Sequence, residues 1–200
     1  MSTPYRIRPV IREDVPTAVD TLGRAFADYP FTRHVVAADG HAARVRRFQE
    51  LFLTRVGMVY GRVWVAGAGR AVAVWTTPDR DPQPGFAAIR PLVDLLAGDR
   101  APWFAAAELA LRPHRPAYPV WCLATVGVDP DEQGRGLGAA VIGPGLAAAD
   151  RAGHPCFLET STEQNVTFYE RLGFTVTADL ALPDRGPRTW CMIREPARRP

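Results

Sequence analysis

Lysine is absent: all 24 basic side chains in the 200 residues are arginines. That removes Schiff-base and lysine-nucleophile chemistry. It also removes the lysine-bearing phosphate loop of nucleotide hydrolases. Cysteine is scarce and odd in number, with Cys122, Cys156 and Cys191 far apart among apolar neighbours. No CxxC or Cys/His pair has metal spacing, so we expect buried thiols, no disulfide framework and no metal. Charge of one sign is not in excess: the net charge is +3, and no basic run is longer than two or three residues. This excludes the basic stripe of a nucleic-acid binder. No apolar run approaches a membrane span. The start, "MSTPYRIRPV", has no apolar core of a signal peptide. The expectation is a soluble cytoplasmic protein without a nucleic-acid or membrane partner. Monomer and homodimer both stay open.

What is present is an ordinary hydrophobic fraction of 47%, enough for a packed core. Arg6 to Val10 reads as a short strand. Val15, Val19, Leu22 and Phe26 then recur at helical spacing. Pro30 in "YPFTRHV" is read as a break. Gly40 to Gly57 reads as a helix. "RVWVA" and "RAVAVWTT" read as a hairpin, and "PDRDPQPG" as a loop. Helical patches follow at Ala87–Ala97 and Pro102–Leu111, closed by "RPHRPAYP". "VWCLATVGV" is the strongest strand signal. After it come a glycine turn, a helix from Leu137 to Ala152 with Pro144 inside it as an expected kink, and the strand "PCFLETS". "EQNVTFYERLG" is a short helix closed by Gly173, and "FTVTA" and "TWCMIRE" are final strands. The alternation argues for one mixed α/β domain, residues 1–196, with a short tail, 197–200.

The glycine turn, "VGVDPDEQGRGLG", carries the chemistry. Glycines this dense let backbone N–H groups approach a ligand closely, and a helix N-terminus favours an anion. Gly134, Gly136 and Ala139 match a dinucleotide fingerprint, with Glu159 downstream. That reading suffers because "DPDEQ" separates strand from glycines, and too few residues follow for the rest of such a sheet. A ligand-free turn leaves Gln133 and Arg135 between glycines unexplained.

The turn resembles the Q/R-x-x-G-x-G/A motif of the GNAT acetyltransferase superfamily, filled by Gln133, Gly136 and Gly138. "NVTFYERLGF", Asn165 to Phe174, resembles that superfamily's second motif. The resemblance implies a mixed central sheet of about six to seven strands flanked by helices, with a splay between two central strands. It implies acetyl-CoA as co-substrate. The cofactor residues would be Thr125, Val126, Gly127 and Val128 on the splayed strand, Gln133, Gly134, Arg135, Gly136, Leu137, Gly138 and Ala139 in the turn, and Asn165 and Phe168 on the later helix. Gly127 is where a strand bulge is expected, and the backbone N–H groups near Val126 to Val128 are the expected oxyanion donors.

In the superfamily the tyrosine matching Tyr169 stands near the coenzyme sulfur as general acid. A phenol with a pKa near 10 is protonated at neutral pH. Glu159 has three open roles: base through water, anchor for the acceptor ammonium, or partner of an arginine. An α-amino acceptor would need no strong base, since roughly a sixth of it is neutral at pH 7. No histidine adjoins the motifs; His34, His41, His114 and His154 are expected at the surface or in structural roles.

The resemblance extends to stretches outside those motifs, among them "AFADYPFTRHVV", "QELFLTRVG", "VAVWTTP" and "LRPHRP". There the chain resembles members of the superfamily that acetylate the aminonucleoside antibiotic puromycin, which confers resistance. Tyr29, Phe31, Arg33, His34 and Trp75 are then the expected acceptor pocket. Another small amine or a protein N-terminus as acceptor, and a non-catalytic acetyl-CoA-binding module, are the other readings.

Overall fold

The computed structural model describes residues 5–197. The strongest strand signal becomes β4 (Trp121–Val128), and the sheet is built outward from it. Seven strands lie in the order β1-β2-β3-β4-β5-β7-β6. The others are β1 (Arg8–Pro9), β2 (Gly61–Ala66), β3 (Ala71–Thr76), β5 (Cys156–Thr160), β6 (Thr175–Ala181) and β7 (Arg188–Arg194). Every neighbouring pair is antiparallel except β4–β5. One parallel step needs one long crossover. The glycine turn and α7 (Leu137–Ala152) supply it. The expected tail lies, beyond Ala197, outside the described residues, as do residues 1–4.

The remaining helices are α1 (Val15–Phe26), α2 (Pro30–Val35), α3 (His41–Leu51), α4 (Met58–Tyr60), α5 (Gln83–Ala97), α6 (Ala101–Leu111) and α8 (Glu163–Glu170). A π-helical stretch, Phe52–Gly57, joins α3 to α4. Two expectations are corrected by one physical fact. Pro30 does not merely end a helix, and "PDRDPQPG" is not all loop. Pro30 and Pro84 sit in the first turns of α2 and α5, where the missing N–H has no intrahelical partner to lose. Pro144 lies within α7, which continues through it from Leu137 to Ala152.

The strand period of two sorts the side chains onto two faces. On one face α7 and α8 cover Trp75, Trp121, Leu158, Phe174 and Met192. On the other, α1, α3, α5 and α6 cover Val72 and Val74 with Leu22, and Phe157 and Cys191 with Phe48 and Phe104. In β3, Ala71, Ala73 and Trp75 share the α7 face, so Trp75 is fully buried. Its ring lies so close to α7 that a Cβ on Gly145 would stand 2.3 Å from it. Trp75 is therefore core and does not line an acceptor pocket, contrary to expectation. Among the described residues no helix is long and apolar enough to cross a membrane.

The two glycines flanking Pro144 make a matched test. Gly145→Ala forces a methyl into the Trp75 ring and is expected to lower stability by about 1–3 kcal/mol or more. Gly143 has no atom within 4 Å of where a Cβ would lie. Gly143→Ala is expected to raise stability by about 0.5–1 kcal/mol. Urea denaturation of both variants, with unchanged slopes, checks the pair.

Candidate active site

β4 and β5 pair only at Trp121↔Cys156 and Cys122↔Phe157. From Leu123 and Leu158 onward they part, which opens the sheet at the expected place and slightly earlier. The bulge, however, is not at Gly127. The β3–β4 register matches Val74 with Thr125 and Trp75 with Leu123, so Ala124 is the extra residue, and it is exposed. An inserted residue reverses the side-chain alternation beyond it. Trp121 and Leu123 face α7, and so do Val126 and Val128. Thr125 and Gly127 turn to the other face, where Thr125 Oγ1 donates to Gln49 Oε1 at 3.2 Å. Gly127 pairs regularly with Val72. Its missing side chain admits α1, since a Cβ there would meet Leu22 Cδ2 at 3.0 Å and Ala25 at 3.2 Å.

The turn after β4 is braced from both sides. Arg24 of α1 donates to Asp129 at 2.8 Å and to Asp131 at 3.1 Å. Glu132 is buried and takes Arg70 at 2.9 Å, Arg135 at 2.7 Å and the Tyr5 hydroxyl at 3.3 Å. Gln133 Nε2 reaches back to the Val128 carbonyl at 3.4 Å. Gly134 and Gly136 then adopt φ of 76° and 77°, which favours glycine, and nothing lies within 4 Å of where their Cβ atoms would be. Gly136 is the N-cap of α7, a helix of 16 residues. The first N–H groups of that helix have no carbonyl of their own to bond. Open space, outward amides and the positive end of a long helix fit a diphosphate.

The second motif folds against this turn. A Cβ on Gly138 would lie 3.5 Å from Phe168, so the two motifs touch. Thr162 caps α8 by accepting from the Asn165 amide at 3.2 Å. Asn165 Nδ2 donates to Thr160 Oγ1 at 3.0 Å, beside the opening. Tyr169, one turn later, is 6% exposed and packs edge-on between Phe168 and Phe174. Burial, and secondarily nearby Tyr29, push its phenol well above its ordinary pKa. Tyr29 itself is fixed by two hydroxyl contacts at the end of β5. It accepts from the Ser161 amide at 2.6 Å and pairs with Thr160 Oγ1 at 3.1 Å.

Glu159 stands in the separated part of β5, on the opposite face. Both its oxygens accept from Arg115, at 2.7 and 3.0 Å. Arg115 also holds both oxygens of Glu108, at 2.9 and 3.0 Å. Burial lowers the Arg115 pKa, but the hydrogen bonds from the two carboxylates outweigh it and the net shift is upward. Two carboxylates share one guanidinium, so the cluster carries one net negative charge. Of the three roles open to Glu159, the ion pair is the one occupied here.

The other acceptor candidates disperse. Tyr29 reaches the opening. Phe31 packs edge-on against Phe104 at 6.5 Å. Arg33 and His34 line a separate cavity with Arg100 and Trp103. His41 is buried, its ring nitrogens 3.1 and 3.0 Å from the Ala37 and Ala27 carbonyls. Arg115, Glu108, Thr160 and Gln49 went unnoticed in the sequence. Thr160 in "FLETS", Gln49 in "QELFLTRVG" and Arg115 in "LRPHRP" lay in stretches with a signal; Glu108 did not. Among the described residues no group of three or more His, Cys, Asp or Glu could hold a metal ion.

Replacing Arg115 by Met strands two partly buried carboxylates. We expect a loss of about 1–3 kcal/mol, largely recovered when Glu108→Gln and Glu159→Gln are added. Equilibrium unfolding of the single and triple variants reads this out.

Comparison with known proteins agrees with this geometry. The chain matches the acetyltransferase (GNAT) domain family over residues 59–176, more than half its length. It is 36% identical over 78 residues to an uncharacterised N-acetyltransferase of Schizosaccharomyces pombe. That match covers 38% of this chain and 32% of the relative, so about a third of the curated relative's length is spanned. A Corynebacterium glutamicum crystal structure, described as histone acetyltransferase HPA2 and related acetyltransferase, superposes with a TM-score of 0.74 at 29% identity, covering 98% of each chain. Arylalkylamine N-acetyltransferase 2 from Aedes aegypti shares the fold with a TM-score of 0.64 at 14% identity, covering 97% of this chain and all of that one (100%). The chain belongs to the acetyltransferase (GNAT) family.

Proposed function

We propose that the chain is an acetyl-CoA-dependent N-acetyltransferase that acetylates the free α-amino group of puromycin and so confers resistance to it. The observation that carries the acetyl-transfer part is convergence: the amides of the glycine turn, the unpaired edge of β4 and the buried Tyr169 phenol meet at one opening in the sheet. On this reading the N–H groups of Gly134 to Gly138 hold the diphosphate. The free edge of β4 from Leu123 onward receives the pantetheine arm as an added strand. Its N–H groups meet the thioester oxygen. The amine nitrogen bonds the carbonyl carbon, the carbon–sulfur bond breaks, Tyr169 gives its proton to the sulfur, and the proton shed by the nitrogen returns through water to the phenolate.

The acceptor part rests on the segments outside the cofactor motifs that resemble the puromycin-acetylating enzymes, above all the one carrying Tyr29. Two features suit an amine. The Glu108–Arg115–Glu159 cluster has an excess negative charge that attracts an ammonium group. Glu159, beside the opening, is held by Arg115 and not left free to take a proton, which suits an α-amine already partly neutral near pH 7. Acetylation would convert that amine into an amide and remove the nucleophile through which puromycin acts.

The first test is thiol release from acetyl-CoA in the presence of puromycin, with mass spectrometry of the product. One acetyl group on the α-amine supports the proposal. Turnover on other primary amines but not puromycin would move the acceptor and keep the reaction. Cofactor binding with no turnover on any amine would favour the non-catalytic module.

Two further outcomes are expected. Tyr169→Phe lowers kcat by about 10²–10⁴-fold, while the acetyl-CoA dissociation constant stays within a few-fold. Because burial raises the Tyr169 pKa, its proton-bearing form persists as pH rises through 10. The pH profile of kcat/KM should therefore rise with deprotonation of the acceptor amine, near pH 7.7–8.0 for an α-amine. It should then stay flat through pH 10; a fall between pH 9 and 10 would count against Tyr169 as the acid.

A further inference from the structure

Gln49 is buried in α3, and the acetyl-transfer reading gives it no role. It is 4% exposed and shares the helix's inner face with Val45, Phe48 and Leu51. Its Oε1 atom accepts from Thr125 Oγ1 at 3.2 Å. The amide nitrogen carries two N–H donors, and neither has a hydrogen-bond partner among the described residues. Nor is that nitrogen sealed in. Among the described residues, the fully enclosed side-chain polar atoms without a partner are His34 Nε2, Trp75 Nε1 and Trp121 Nε1. Gln49 Nε2 is not one of them, so it keeps contact with accessible space. Buried side-chain polar groups are ordinarily bonded. A donor left unbonded yet reachable is placed to serve a ligand.

Thr125 fixes where this donor stands. It lies on β4 beyond the two rungs shared with β5, so its strand edge is free. The bulge at Ala124 turns its side chain toward α3. Glu159, on β5 across the opening, faces the same side, because its register partner Cys191 and its neighbour Phe157 belong to the cluster under α3, α5 and α6. On this face one border of the opening carries an N–H donor. The other carries the excess negative charge of the Glu108–Arg115–Glu159 cluster. The flank between them is aromatic. Phe48, next to Gln49, stacks on Phe52 at 4.9 Å and meets Phe104 edge-on at 6.2 Å. Phe104 lies one turn before Glu108 on α6. Phe52 stays partly exposed.

We infer that Gln49 is a specificity-determining residue: its amide N–H groups donate to a carbonyl oxygen next to the amine-bearing carbon of the acceptor, so the site selects α-aminoacyl amides and esters over plain alkylamines. The inference rests on the acetyl-transfer reading and names the acceptor class of that site more closely. An α-aminoacyl compound brings a cation for the negative cluster and an oxygen for the amide. An alkylamine brings the cation alone and leaves Gln49 unbonded, which a site built to donate a hydrogen bond penalises. Thr125 is a positioning residue. Its hydroxyl occupies Oε1 and so leaves the nitrogen end of the amide for the acceptor.

The experiment uses the full chain and two acceptors, O-methyltyrosine amide and para-methoxyphenethylamine, which differ by the carboxamide. kcat/KM is measured for each at saturating acetyl-CoA, and the quantity read is their ratio. Comparing that ratio between proteins cancels the different basicities of the two amines, and it is read whether or not puromycin itself is a substrate. In Gln49→Leu the preference for the amide should fall about three- to tenfold, with the rate on the plain amine and the acetyl-CoA dissociation constant little changed. Thr125→Val should lower the preference less, in the same direction. Gln49→Glu, which keeps the size and removes the donors, should lower it at least as far as Gln49→Leu. An unchanged ratio in Gln49→Leu overturns the inference. So does a Gln49→Glu variant that keeps or raises the preference, since position 49 would then be accepting from the ammonium. If no amine is turned over, the acetyl-transfer reading fails by itself. Calorimetric titration of the same two acceptors into the chain saturated with coenzyme A then gives the ratio as binding constants. A ratio unmoved by Gln49→Leu, or no binding of either acceptor, overturns the inference there too.

Discussion

Everything at this site depends on one parallel strand pair that is abandoned after two rungs. β4 and β5 are hydrogen-bonded at Trp121 and Cys122 and then separate. Each strand remains held on its outer side, β4 by β3 and β5 by β7. The sheet therefore opens along its middle without losing either half. Backbone groups on the inner edges need partners, and a ligand laid along β4 can supply them as a strand would. The opening is also stitched at its far end. Tyr29, from the α1–α2 segment on one face, bonds to Thr160, whose strand position belongs to the other face. The same Thr160 is tied to Asn165 of α8. Helix α8, the α1–α2 segment and the end of β5 thus share one hydroxyl.

The cradle beside this opening is positive through its backbone. Asp129, Asp131 and Glu132 could have repelled an anion from the turn. Instead each is turned toward an arginine, Arg24 for the first two and Arg70 with Arg135 for the third. The acids hold the loop in shape while the amides of a long helix point outward. Each Arg–carboxylate contact at a surface is weak alone. Here they act together on one short segment, and Glu132 is buried beneath it. A chain without lysine can bind a diphosphate this way because the donors are peptide groups.

The glycine-turn side of the fold was legible because its signals are contiguous. The glycine turn and the Asn165–Phe174 helix each need only local spacing, and α7 has the expected bounds. The bulge was misplaced because Ala124 carries no local signature. Gly127 attracted attention for a real reason, but that reason is the approach of α1 from a distant part of the chain. Trp75 was misassigned because an aromatic near a turn looks like a pocket wall until the register of β3 puts it under α7. Arg115 and Glu159 are 44 positions apart, and nothing in either stretch announces the other. Local chemistry is readable in one dimension; side-chain partners across the fold are not.

That asymmetry runs through the site itself. On the proposed reading, the side that would hold the cofactor is built from two motifs that touch at Gly138 and Phe168. The side that would take the acceptor is built from the α1–α2 segment, the α6 end and the tip of β5, which meet only in three dimensions. The polarity of the opening follows from strand alternation. Glu159 and its shared arginine lie on the α6 face, where negative charge is in excess. Tyr169, buried and protonated, lies on the α8 face. An amine drawn to the first face and a thiolate protonated from the second would cross the sheet through the same gap. A substitution in α6 or in the 112–119 loop should therefore alter which amine is accepted while leaving the cradle intact, because the cradle's bracing arginines, Arg24, Arg70 and Arg135, all lie elsewhere.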